Sequence, residues 1–173
     1  MDGLIIYSST DGQTIKICEN IKENLSTSHT LEIVSVEKAL DINLEKYEII
    51  IIGASIRYGS HSRKILNFVI KNKNILESKK TAFFSVNVVA RKAEKSSPHN
   101  NPYLIKFLKK SNWKPKKVGV FAGKVDYPNY NFINRNVIRF IMMITNGPTD
   151  ISNSYEFTNW ESVKKFAIEL QNF

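Results

Sequence analysis

At 173 residues, 42% of them hydrophobic, the chain has the size of one domain with a substantial core and is short for two. Its formal charge of +9 is unevenly spread: residues 1–56 carry 4 Lys/Arg against 9 Asp/Glu, residues 57–124 carry 17 against 2, and residues 125–173 carry 4 against 5. One cysteine excludes an intramolecular disulfide framework and suits a reducing cytosol, and no apolar run reaches the roughly 20 residues of a membrane-spanning helix. The opening MDGLIIYSSTDG lacks a basic leader followed by a long apolar stretch, so no signal peptide is expected, and the chain is soluble or lies on a membrane. The basic middle suits nucleic acid, an anionic membrane surface, an acidic small molecule or simply water, and charge alone does not choose.

Strand and helix patterns alternate along the chain. A β-rich apolar run from Gly3 to Tyr7 is followed by a helical pattern from Gln13 to Leu25, which carries Cys18 as an inert thiol. Strands are expected at Thr30 to Val36 and Tyr47 to Ile52, a helix at His61 to Asn72, and a strand at Thr81 to Val89. The run Ile49-Ile50-Ile51-Ile52 reads as a strand buried on both faces of a parallel sheet. Asn101-Pro102 starts a helix reaching Ser111, Lys117 to Ala122 is the fifth strand, and Thr158-Asn159-Trp160-Glu161 reads as a capping box opening a helix to Asn172. Five strands in alternation with helices give a doubly wound α/β fold with a five-stranded parallel sheet, one unit spanning residues 1–173.

In such a fold ligands bind beyond the carboxyl ends of the strands, where strand order reverses. Three loops qualify, and the first is Ser8-Ser9-Thr10-Asp11-Gly12-Gln13-Thr14. Hydroxyl side chains, a glycine that lets the backbone approach, and the free N–H groups of a starting helix suit a dianionic phosphate. No Gly-Lys-Ser/Thr follows and the glycine triplet of dinucleotide sites is absent, so neither a P-loop nor a dinucleotide motif is present. Asp11 would place a carboxylate near that phosphate unless it turns aside to cap the helix. The other two loops are Gly53-Ala54-Ser55-Ile56-Arg57-Tyr58-Gly59 and Ser85-Val86-Asn87-Val88-Val89-Ala90-Arg91-Lys92.

Ser9, Thr10, Gly12 and Thr14 resemble the flavodoxin signature turn that cradles the phosphate of flavin mononucleotide. With the two later loops and the segment from Tyr127 to Asp150, the chain more closely resembles the menaquinone-dependent protoporphyrinogen dehydrogenase family of bacterial haem synthesis, in register over essentially its whole length. In that family the cradle has an Asp-Gly turn, which accounts for Asp11. The resemblance implies a flavodoxin-like fold, FMN, and oxidation of protoporphyrinogen IX to protoporphyrin IX in successive two-electron steps with menaquinone or ubiquinone as acceptor. It implies cofactor contacts from Ser9, Thr10, Asp11, Gly12, Gln13 and Thr14, from Ala54, Ser55, Ile56, Arg57, Tyr58 and Gly59, and from Ser85, Val86, Asn87, Val88, Val89 and Ala90. Within these, Arg57 and Tyr58 would line the flavin ring, Tyr58 stacking on it, and Asn87 would meet its pyrimidine edge. Arg91 and Lys92 would grip the propionates of the substrate. No catalytic dyad is needed, because the flavin carries the chemistry.

Between the fifth strand and the last helix stands an insertion, Lys124 to Ser154, whose middle reads as a helix ended by Gly147-Pro148. Asn131, Arg135 and Arg139 fall at i, i+4 and i+8 and form a polar stripe on an otherwise apolar helix. That helix packs on its own domain, lies at a membrane interface, or closes over a tetrapyrrole or quinone with Arg135 and Arg139 meeting propionates or anionic headgroups. Tyr127, Tyr130 and Phe132 add aromatic surface. The quinone implies peripheral attachment to the cytoplasmic face of the inner membrane; a homo-oligomer is left open. His29, His61 and His99 are too dispersed for a metal cluster and read as surface or loop residues. The rival readings are a flavodoxin-type electron carrier, a nicotinamide-fed quinone reductase, and a nucleic-acid-binding module using the basic block with Phe, Tyr and Trp113. The last leaves the phosphate turn unexplained, and no nucleic acid is expected as a partner.

Overall fold

The computed structural model describes residues 2–25 and 30–172, so His29 lies outside the described residues. In chain order the elements are β1 (Asp2–Ser8), α1 (Gln13–Leu25), β2 (Thr30–Ser35), α2 (Val36–Ala39), β3 (Ile49–Arg57), β4 (Ser60–His61), α3 (Arg63–Lys71), α4 (Lys73–Ser78), β5 (Lys80–Val86), α5 (Pro102–Ser111), β6 (Lys117–Phe121), β7 (Lys124–Asp126), α6 (Phe132–Ile144), β8 (Ser154–Glu156) and α7 (Trp160–Gln171). Five strands pair in parallel in the order β2-β1-β3-β5-β6, with the short β4 folded back antiparallel on β3. The order reverses between β1 and β3, so the crevice of this α/β sheet opens beyond Ser8 and Arg57.

Successive side chains of a strand face opposite sides, and the sheet sorts them accordingly. Leu4, Ile6, Ile50, Ile52 and Phe83 pack against Ile65, Phe68, Leu104 and Phe107 of α3 and α5. Ile5, Ile49, Ile51, Ala82 and Phe84 pack against Ile17 and Ile21 of α1 and Val163, Phe166 and Leu170 of α7. Ile49 to Ile52 are all fully buried, as the unbroken apolar run requires. Cys18 lies in the second cluster, and burial raises its thiol pKa far above the ordinary value, which leaves it unreactive.

Several boundaries differ from expectation for physical reasons. The apolar run ends at Ile52, yet β3 continues to Arg57, because Ala54 pairs with Ser8 and Ser85, Ser55 with Val86, and Ile56 and Arg57 with β4. The second candidate loop is therefore mostly strand. β5 stops at Val86, where the Asn87 side chain accepts from Ala90 N–H and winds Val88–Arg91 into a 3-10 turn. α3 begins at Arg63, two residues later than expected, because Ser62 caps it by accepting from Lys64 N–H. At α7 the cap is Asn159, not Thr158; the Thr158 hydroxyl donates to Ala122 C=O instead. α6 ends at Ile144, before Gly147-Pro148, with Asn146 left-handed (φ 54°), Gly147 N–H on Met142 C=O and Asn146 N–H on Met143 C=O.

The insertion has a small core of its own. β7 and β8 form an antiparallel ribbon, and Val125, Tyr127, Tyr130 and Met142 are buried against Val88, Ile138, Tyr155 and Phe157. Of α6 only Met142 is buried; Phe132, Ile133, Phe140, Met143 and Ile144 are each more than half exposed. The helix packs on its own domain through Met142 and half-buried Ile138 and leaves most of its apolar surface outside.

Candidate functional site

A cavity of about 310 Å³ opens at the carboxyl ends of β1, β3 and β5, roofed by the insertion. Its first wall is the turn between β1 and α1. Ser9 Oγ accepts from Gly12 N–H at 3.1 Å, and Gly12 takes φ 81°, a conformation that costs glycine little. The first turn of α1 leaves N–H groups without intrahelical acceptors. Beside them Thr14 Oγ1 and Gln13 Oε1 are buried with no hydrogen-bond partner, while Gln13 Nε2 is anchored on Thr158 Oγ1 at 2.8 Å. An unpartnered hydroxyl at the positive end of a helix fits a phosphate oxygen. The residues present therefore suit a phosphate-bearing cofactor.

Asp11 neither caps α1 nor faces the cradle unpaired. Arg57 Nη1 donates to both its oxygens, at 3.2 and 3.0 Å, and the Tyr130 hydroxyl donates to Oδ2 at 3.1 Å. Burial pulls the Arg57 guanidinium down, and the Asp11 carboxylate together with Tyr58 and Tyr130 more than offsets it, leaving its pKa above the ordinary value. Burial pushes Tyr130 up to about 12, so its hydroxyl stays protonated and available to donate. The guanidinium lies 5.3 Å from the Tyr58 ring centroid and 5.1 Å from that of Tyr130. Tyr58, at φ 49°, is 59% exposed, and its hydroxyl donates to Asn134 Oδ1 of α6.

The third wall is built on buried amides. Asn87 Oδ1 accepts from Ala90 N–H and from Asn101 Nδ2, both at 3.1 Å, which fixes its Nδ2 toward Ser85 Oγ at 3.1 Å. Asn101 caps α5 by accepting from Tyr103 and Leu104 N–H. The Asn87 side chain thus holds the loop while the residue lines the cavity. Ser85 Oγ also stands 2.9 Å from His61 Nε2. His61 is half-buried rather than free in solvent: it packs edge-on against Phe83 and Phe107, and burial draws its pKa down to about 3.

Of the expected cofactor residues, Ser9, Thr10, Asp11, Gln13, Thr14, Ser55, Ile56, Arg57, Tyr58, Gly59, Val86, Asn87, Val88 and Val89 line this one cavity. Gly12 does not line it, and Ala54, Ser85 and Ala90 are buried beneath the wall. The expected substrate residues fare differently. Arg91 lines the cavity, but its guanidinium donates to Val88 C=O at 3.1 Å and to Thr145 C=O and Oγ1 at 2.8 and 2.9 Å, so it fastens the third loop to the end of α6. Arg135 donates to the carbonyls of Tyr127, Pro128 and Tyr130, closing the turn before α6. Lys92 and Arg139 do not reach the cavity, and Asn131 caps α6 by accepting from Asn134 N–H. Sequence reasoning missed Tyr103, Gly123, Lys124, Val125, Ile138, Ile141 and Met142. Gly123 lies just beyond the carboxyl end of β6 at Phe121, a fourth such strand end, and Ile138, Ile141 and Met142 share a helix face at i, i+3 and i+4, so both signals are present in the chain.

Residues 4–152 match the flavodoxin domain family. The chain is 42% identical over 169 residues to a Leishmania major protein named protoporphyrinogen IX dehydrogenase (quinone), covering 96% of this chain and 73% of that one. It is 39% identical over 171 residues to the Escherichia coli K12 protein of the same name, covering 98% and 94%. The chain belongs to the flavodoxin-domain family of protoporphyrinogen IX dehydrogenases. Solved flavodoxins share its fold: flavodoxin 2 of Bacillus cereus at a TM-score of 0.54 and 18% identity over 99% of both chains, and an archaeal flavodoxin at 0.52 and 15% over 99% and 97%. Membership explains why a phosphate cradle and an apolar cavity stand together at one sheet edge. No group of three or more His, Cys, Asp or Glu side chains suited to a metal ion occurs among the described residues.

Proposed function

We propose that this chain binds FMN in the cavity at the ends of β1, β3 and β5 and oxidises protoporphyrinogen IX to protoporphyrin IX with a quinone as electron acceptor. The observation that carries it is identity of 39–42% along nearly the whole chain, insertion included, to proteins of that name, joined to a cradle with an orphaned hydroxyl at Thr14. Bound flavin supplies the two-electron redox chemistry. The chain's own residues do the rest. The α1 N-terminus, Thr14 and Gln13 hold the phosphate; Ile56, Val86, Val88 and Val89 give the planar ring an apolar wall that excludes water. Arg57 neutralises Asp11, so the carboxylate does not repel the phosphate beside it.

The nucleic-acid alternative draws no support from Trp113 and Phe107, which lie inside the basic block but are only 1% and 3% exposed. We further propose peripheral attachment to an anionic membrane, at the cytoplasmic face of the inner membrane, through α6. Its unpartnered Phe132, Ile133, Phe140, Met143 and Ile144, with Arg139 exposed beside them, support an interfacial helix. No helix among the described residues is long and apolar enough to cross a membrane. The test of function is anaerobic mixing of FMN-loaded protein with protoporphyrinogen IX, then a menaquinone analogue. Flavin bleaching with porphyrin fluorescence, followed by quinone-dependent turnover, is expected; flavin that stays oxidised refutes the substrate and turns attention to nicotinamides or protein donors.

A further inference from the structure

A second cavity, of about 430 Å³, lies between α3 and α5 and is not used by the cradle. It shares Gly59 and Tyr103 with the first, so the two are neighbours across one rim. Its charged lining is entirely cationic: Arg63 from the first turn of α3, and Lys106 and Lys110, one turn apart on α5. None of the three makes an ion pair or a side-chain hydrogen bond among the described residues, although five other cations on the chain do pair with carboxylates. The only acids of residues 57–124, Glu77 and Glu94, do not line it, and Glu77 is engaged by Lys73 and Lys114 N–H. Behind the cations, His61 and Phe107 form a packed, weakly polar floor. Three uncompensated cations around a concave site is an arrangement that self-repulsion disfavours and an anionic ligand relieves.

Building on the function proposed above, we infer that Arg63, Lys106 and Lys110 form the carboxylate subsite of the substrate, taking the propionate arms of a tetrapyrrole whose macrocycle lies toward the first cavity across Gly59 and Tyr103. The arginines expected for this role are spent elsewhere, Arg91 on Thr145 and Val88 and Arg135 on three carbonyls. A tetrapyrrole with two adjacent propionates presents two carboxylates on flexible arms, and two lysines with one arginine offer them both point-charge and forked donors.

The experiment compares FMN-loaded wild type with Arg63→Ala and with Lys106→Ala/Lys110→Ala, using protoporphyrinogen IX and its dimethyl ester, plus equilibrium binding of protoporphyrin IX followed by fluorescence. Lys164→Ala, an exposed charge on α7, is the control for net charge. At exposed positions each lost charge pair is expected to raise KM about three- to five-fold, so the double variant rises about ten-fold or more, with weaker porphyrin binding to match and kcat at saturation retained. The dimethyl ester shows no such difference between the proteins. Free-acid KM values equal to wild type, or KM raised equally for acid and ester, overturn the subsite. A wild-type protein that does not oxidise the porphyrinogen at all overturns the functional reading, and the subsite with it.

Discussion

His61 makes a quantitative demand on the pH dependence of folding. Its ring is held between Phe83 and Phe107, with centroids 5.6 and 4.9 Å away, and burial draws its pKa down to about 3. In the unfolded chain an imidazole titrates near about 6.5. On acidification the unfolded state therefore takes up the proton first, so the contribution of neutral His61 is whole above pH about 6.5 and is lost as pH falls toward about 3. Between pH 7 and pH 5 the imidazole of the unfolded chain passes through about 1.5 pH units below its pKa while the folded one stays neutral. At about 1.36 kcal/mol per unit this costs about 2 kcal/mol. His61→Phe keeps a ring in the aromatic stack and removes the proton. Urea unfolding of both proteins at pH 7 and pH 5, with equal m-values, is expected to show wild type losing about 2 kcal/mol more than the variant over that interval. Equal losses would mean that the imidazole protonates in place, and the burial argument would fail.

Other consequences are as direct. Thr14→Val keeps the shape of the cradle and removes its orphaned hydroxyl; a hydrogen bond to a charged group contributes about 1.5–3 kcal/mol, so FMN affinity by flavin fluorescence titration should fall about ten- to hundred-fold, and an unchanged affinity would place the phosphate elsewhere. A Cβ on Gly53 would stand 2.1 Å from the Phe84 ring, so Gly53→Ala should cost about 1–3 kcal/mol in chemical denaturation, and a neutral result would mean that the β3–β5 layer has slack. Replacing Phe140 and Ile144 of α6 by Asp should abolish flotation with anionic vesicles while leaving flavin binding intact; retained flotation would remove α6 as the attachment.

The parallel sheet was legible because its signal is intrinsic to the strands. Ile49 to Ile52 have apolar side chains facing both ways, and only a layer on each face satisfies them. The phosphate turn was legible because a tight Gly turn feeding a helix N-terminus is local chemistry. What the sequence hid is pairing at a distance. The residues from Gly53 to Arg57 look like a loop by composition and become strand only through partners on β1, β4 and β5. The arginines at 91 and 135 look free because their acceptors are backbone carbonyls, which every residue has and no composition reveals. The Arg63, Lys106 and Lys110 cluster was hidden for the same reason, since two helices far apart in the chain each contribute one wall.

The insertion is tied to the cradle by its polar residues rather than its apolar ones. Tyr130 reaches back to Asp11, and Asn134 accepts from Tyr58, while Arg57 lies against both tyrosine rings and grips Asp11 from the opposite side. A carboxylate beside a phosphate site is a liability on its own, and here it is the node that joins the phosphate turn, β3 and the insertion. Removing the charge of Asp11 would leave a buried-edge guanidinium without its ion pair and Tyr130 without its acceptor, so the turn and the roof would loosen together. While Ile138 and Met142 pack inward, the side of α6 that carries Phe132, Ile133, Phe140 and Ile144 is left outside, and the chain gains a second surface whose orientation relative to the cavity is fixed by hydrogen bonds made at the cofactor site itself.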